Sequence, residues 1–167
     1  GHVKTLIGLL VCLTIVVIGP ITGCASDPLP ITNTKDVDLS DPDEVIANAL
    51  TTMFTWRPTQ DASTDAAYQR AAVYLSGDLV KQGEQITAPR PGSQWDQWRA
   101  DGASITAKVY FLADETPPNS DDVAHRVVVV VQSAATEDNR LIDEIRHTAW
   151  VTVNKANNGW RVTSIKF

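Results

Sequence analysis

Between Asp41 and Phe54 the apolar residues recur three and four apart, and Ile46, Ala49, Leu50, Met53 and Phe54 form one stripe. That spacing predicts a helix that buries a single face. Its start is chemically specified. Asp41 can accept from the free amides as N-cap, Pro42 suits the first helical position, and Asp43 and Glu44 lie where the helix dipole favours anions. Arg57-Pro58 is expected to end it. A second helix is predicted over 64–76, capped by Ser63 or Thr64, with Ala67, Tyr68, Ala71, Ala72 and Leu75 facing inward. Gly77 interrupts it, and 78–82 forms one further turn. The stretch 83–92, with two prolines and two glycines, reads as a loop. Trp95 and Trp98, three apart, share one face of a short helical turn. They either close the core as a lid or stand over a pocket mouth.

After Gly102 the period drops from 3.6 to 2, and strand signals run to the C-terminus. In 104–113, Ile105, Ala107, Val109 and Phe111 alternate with polar residues. The segment 123–133 holds five consecutive valines, Val127 to Val131, as expected of a central strand covered on both faces or nearly so. In 142–154, Ile145, Ala149, Val151 and Val153 share one parity and Trp150 takes the other. Asn157-Asn158-Gly159 predicts a hairpin turn, because these residues tolerate positive φ, and leads into Trp160–Phe167. No crossover helix separates the strands, so an antiparallel meander of about four is expected. Two or three N-terminal helices packed on one side of such a curved sheet make an α+β domain over 42–167.

The segment preceding it is of a different kind. Lys4 is followed by no charged residue up to Ser26, and Leu6 to Ile21 is strongly apolar, which is the shape of a secretory signal. An uncleaved transmembrane helix is the alternative, since the uncharged stretch has about the 20 residues a span needs. Gly19, Pro20 and Gly23 weigh against it, because Pro20 breaks a helix where a signal has its cleavage region. The run closes on Ile21-Thr22-Gly23-Cys24, which resembles the bacterial lipobox and implies diacylglycerol on the Cys24 thiol. Two or more acyl chains, each contributing ~0.8 kcal/mol per buried CH₂, hold a protein stably at a bilayer. On this reading residues 1–23 are a signal peptide, with Gly1-His2 a tag remnant, and 24–41 is a lipid-anchored linker. Its two prolines, four aspartates and lack of apolar periodicity after Cys24 describe a tether of roughly 20–25 Å.

Charge and cysteine usage narrow the function classes. The 167-residue chain carries 14 Lys+Arg against 20 Asp+Glu, a net charge of -6. Its basic residues are scattered singly, so no phosphate-neutralising patch arises and no nucleic-acid partner is expected. Cleavage of the signal removes Lys4 and no acid, so the -6 becomes -7, which opposes a second attachment to an anionic membrane. Cys12 and Cys24 are the only cysteines, so the domain must rest on its core without disulfides or thiolate metal sites.

The helices-then-strands order closes in W-V-T-V-x-K-x-N-N-G-W-R-V-x-S-I from Trp150 to Ile165. It resembles the cone-shaped nuclear-transport-factor-like superfamily, which includes ketosteroid isomerase and scytalone dehydratase. The chain is also similar to extracytoplasmic domains of type IV secretion scaffold proteins, small actinobacterial lipoproteins and Mce-associated proteins. Their first helix runs into a T-W-R-P-like corner, here Thr55-Trp56-Arg57-Pro58. The resemblance covers 42–167. It implies a cavity between helices and sheet, and possible homodimers through the open sheet face.

Candidate chemistry is sparse. His125 and His147 lie on predicted strands, Asp143 and Glu144 precede His147, and Tyr68, Tyr74 and Tyr110 can point inward. A His147 beside a carboxylate in a cavity could act as a general base near neutral pH. Isolated histidines on strands are, however, more often structural or solvent-facing. No G-x-S-x-G, H-E-x-x-H or phosphate-cradling glycine loop is present. The acidic run 114–122 reads as a solvated loop and lacks a known calcium-loop spacing. No catalytic residue, cofactor or metal is therefore expected. Two functions remain open. One is a lipid-anchored binding or scaffold module of an envelope secretion, conjugation or transport assembly, contacting a protein partner through sheet residues or the Trp95/Trp98 region. The other is a carrier or isomerase/dehydratase-like enzyme for a small apolar ligand in a cone cavity. The candidate pocket or interface residues are Trp56, Tyr68, Trp95, Trp98, Tyr110, His147 and Trp150.

Overall fold

A computed structural model describes residues 38–81, 89–112 and 116–167. The signal-like segment, Cys24 and its lipobox, most of the tether and 83–88 of the proline-rich loop lie outside the described residues. Helix α1 (Pro42–Met53) begins as the sequence specifies, with the Asp41 carboxylate accepting from the Asp43 amide at 2.8 Å and proline in the first turn. It ends four residues before Arg57-Pro58. Phe54 is its C-cap, and Trp56 is drawn into a two-way bridge with Ile105, its N–H donating at 3.0 Å and its carbonyl accepting at 2.9 Å. Tertiary strand pairing, not the proline, sets that boundary.

The second helix is shortened for a similar reason. Helix α2 (Asp65–Ala71) passes into a 3₁₀ turn (Ala72–Tyr74) instead of running on to residue 76. Leu75 is extended and bridges Val162, whose carbonyl accepts from Ser76 N–H at 2.8 Å. A short α3 (Gly77–Lys81) follows, and α4 (Gln94–Ala100) carries the paired tryptophans.

Strands β1 (Ser104–Leu112), β2 (Val123–Ala135), β3 (Leu141–Ala156) and β4 (Gly159–Lys166) form one antiparallel sheet in sequence order. The α+β architecture is the expected one. Val128, Val130, Ala149, Val151, Val153 and Val162 face α1, where Val45, Ile46, Ala49, Leu50 and Met53 are fully buried. Each such valine, leucine, isoleucine or methionine side chain contributes about 1.5–3 kcal/mol when taken from water. The helix-to-sheet space is also occupied by Phe54, Trp56 and Trp98, each at most 2% exposed. The five-valine strand is internal; of its valines facing away from α1, Val127 is buried and Val129 and Val131 are half-buried, so that face is covered in part.

The closing turn differs in detail from the expected one. Of its residues only Gly159 has a positive φ, at 113°. A Cβ there would stand 2.6 Å from both the Cβ and the carbonyl oxygen of Leu39. That same carbonyl accepts from Trp160 N–H at 2.8 Å. Leu39, read from sequence as tether, is thus fastened to the first residues of β4. Among the described residues no helix is long and apolar enough to cross a membrane.

Candidate functional site

Four of the seven candidate residues turn out to be interior. Trp56, Tyr68, Trp95 and Trp98 are all buried, so they do not line an accessible surface. Trp56 sits at the centre, 6.0 Å from the rings of both Trp95 and Trp98 and 5.9 Å from Phe54. Its indole N–H donates to Met53 O at 2.9 Å. These tilted and edge-on contacts suit aromatic quadrupoles, and the core-closing role of Trp95 and Trp98 prevails over a pocket mouth. The Arg57-Pro58 corner is held from outside: Arg70 makes a two-pronged pair with Asp61 at 2.9 Å, and Arg99 Nε donates to Pro58 O at 2.8 Å. The Arg70 guanidinium keeps the Asp61 carboxyl below the ordinary carboxylate range. Burial pushes the Tyr68 hydroxyl up to about 12, and its oxygen has no hydrogen-bond partner among the described residues.

His147 points toward the helices from β3, but its partner is an amide and not a carboxylate. Its Nε2 lies 2.8 Å from Gln132 Oε1, and its ring stacks on Phe54 at 5.1 Å. Gln132, 1% exposed, donates through Nε2 to Phe54 O at 2.8 Å. That bond orients the amide oxygen toward the imidazole, so His147 donates from Nε2. Desolvation lowers the His147 pKa and favours the neutral ring. The arrangement secures the end of α1 to the sheet. The acids that precede His147 are engaged elsewhere: Asp143 accepts from Gln94 on α4, and Glu144 pairs with Arg146 at 3.2 Å. His125 lies on the opposite sheet face, with Nδ1 3.1 Å from Thr152 Oγ1.

The remaining two candidates, Tyr110 and Trp150, come together on the face of the sheet turned away from α1. Strand register builds this face in rows. Leu112, Val127, Trp150 and Lys166 form one row; Tyr110, Val129 and Thr148 the next; then Lys108, Val131 and Arg146; then Thr106, Ser133 and Glu144. The result is an aromatic-aliphatic end and a polar end that carries both charge signs. Tyr110, Leu112 and Trp150 are 52%, 46% and 51% exposed. A shallow groove of about 460 Å³ runs between the ends, lined by Tyr110, Leu112 and Val129 at one end and by Lys108, Arg146 and Glu144 at the other.

Sequence reading identified Tyr110 and Trp150 but not Lys108, Leu112, Val129 or Arg146 beside them. The available signal was strand parity: the polar partners of each core-facing alternation share the opposite face once register is known. Among the described residues no three potential metal-ligating side chains converge. No known protein-family model matches the chain, and no curated protein matches it.

Proposed function

We propose that this chain is a lipid-anchored extracytoplasmic binding or scaffold module of a bacterial envelope assembly, held through Cys24 and contacting its protein partner with the open face of the sheet. The observation that carries the contact is the division of aromatic residues. Phe54, Trp56, Trp95 and Trp98 are spent on the core, whereas Tyr110 and Trp150 stay half exposed beside Leu112 on a face that no described helix covers. Aromatic residues ringed by polar and charged ones are the usual composition of a contact surface. The face suits a partner segment that lays apolar side chains over Tyr110, Leu112 and Trp150 and presents an acid to Lys108. The lipobox-like Ile21-Thr22-Gly23-Cys24 supports the anchor, and the acidic balance of the chain supports attachment by lipid and not by surface charge.

The test places a photoreactive amino acid at position 110 or 150 of the intact lipoprotein in its native envelope, with position 69 on α2 as control. One reproducible protein adduct from 110 and 150 that is absent from 69 is the expected result. Adducts only with bulk lipid and abundant lipoproteins would refute the contact. Mass spectrometry of the mature N-terminus is expected to find an acylated Cys24; an unmodified thiol there would refute the anchor separately.

A further inference from the structure

Strand β3 is longer than its neighbour. Its pairing with β4 stops at Trp150↔Lys166, so 141–149 is bonded to β2 on one side and, among the described residues, meets no strand on the other. A free strand edge is a template for another strand. The chain through this edge is antisymmetric in polarity about Ile145: Asp143 and Glu144 precede it, and Arg146 and His147 follow it.

We propose that a second copy of the chain pairs with the 143–147 edge of β3, antiparallel about a two-fold axis at Ile145, to give a dimer whose two sheets are continuous across β3. In that register Ile145 of one copy faces Ile145 of the other, and the irregularity of β3 at Ile142 ends the regular pairing. Glu144 stands opposite Arg146 in both directions, and Asp143 opposite His147. Directly opposed residues share a sheet face, so the Glu144/Arg146 pairs form on the open face, while Asp143 and His147, held within each copy by Gln94 and Gln132, stand opposite each other on the helix-bearing one. Both Glu144 and Arg146 are accessible for this, with side chains 44% and 70% exposed.

The two outer edges do not offer the same match. Lys108 is the only charged residue of β1, so two copies of that edge would bring no acid to it, and Trp56 already bridges Ile105 there; β4 carries Arg161 and Lys166 and no acid, and Leu75 bridges its Val162. Two-fold pairing on β3 consumes the same edge in both copies, so assembly closes at two. The inference does not rest on the proposed function: Tyr110, Leu112, Trp150 and Lys108 stay uncovered in each copy, and of the groove's polar end only Glu144 and Arg146 are drawn into the pairing.

Sedimentation equilibrium of the full chain in density-matched detergent tests it, using Glu144→Arg, Arg146→Glu and the double exchange. Each single reversal sets two like-charged pairs across the axis and is expected to weaken the dimer about tenfold or more; the double exchange restores opposite charges and is expected to return it to about wild-type affinity. Amide exchange over 143–147 of the wild type is expected to slow as concentration rises from micromolar to about millimolar. A wild type that stays monomeric with unchanged exchange over that range overturns the proposal. So does a dimer indifferent to the single reversals, or one that the double exchange fails to restore.

Discussion

Replacing Gln132 by Met tests whether one buried amide ties the end of α1 to the sheet. Methionine nearly preserves length and volume but removes both polar atoms, so packing changes little and two hydrogen bonds vanish. Phe54 O loses the Gln132 N–H that meets it at 2.8 Å, in a residue with no solvent exposure. An orphaned buried carbonyl costs about 1–3 kcal/mol. His147 loses its partner at 2.8 Å, but it is only half-buried and can regain water, so its share is about 0.5–1 kcal/mol. The expected loss is about 1.5–4 kcal/mol, a large part of the ~5–15 kcal/mol typical of a domain. At roughly 3–5 °C per kcal/mol for this size, the melting temperature should fall by about 5–20 °C. Urea unfolding followed by tryptophan fluorescence measures it, with an unchanged slope confirming that the variant exposes the same surface. A midpoint corresponding to less than about 0.5 kcal/mol would refute the role assigned to Gln132.

Gly159→Ala is expected to cost about 2–4 kcal/mol, because alanine is strained at φ 113° and its Cβ would meet Leu39 at 2.6 Å. Chemical unfolding measures the loss, and the Trp160 amide should exchange faster as Leu39 is displaced. His147 supplies a pH dependence. Its pKa is lowered below the ordinary 6.5 on folding, so its share of stability is complete above about 6.5 and is lost as pH falls through the lower folded value. Thermal melts from pH 7.5 to 4.5 should show that loss, and His147→Asn should flatten the corresponding segment; an unchanged profile would count against a desolvated imidazole. Trp150→Ser is expected to change folding stability by less than about 1 kcal/mol, since half of the ring is already in water, while abolishing the adduct formed from position 110.

Local chemistry along the chain was sufficient for much of the architecture. Asp41-Pro42-Asp43 specifies the start of α1 within one turn, since a cap, a fixed φ and the helix dipole act over neighbouring residues. Period-two alternation located β1 and β3, the valine run β2 and the Asn-Asn-Gly turn β4, and the short connections between them required an antiparallel order. What depended on distant residues could not be read this way. α1 stops at Met53 because Trp56 bridges Ile105, and α2 shortens because Leu75 bridges Val162. Gly159 is needed where Leu39 crosses it, which no turn propensity contains. The candidate site divides on the same line. Seven aromatic and histidine positions were visible as candidates, but residue type does not say whether a ring meets protein or water. Only the packing of α4 over Trp56 withdrew Trp95 and Trp98 into the core, and only strand register set Tyr110 and Trp150 on one open face. Caps, turns and periodicity are short-range and are written into adjacent residues; burial and register are relations between elements far apart in the chain, and they exist only once it has folded.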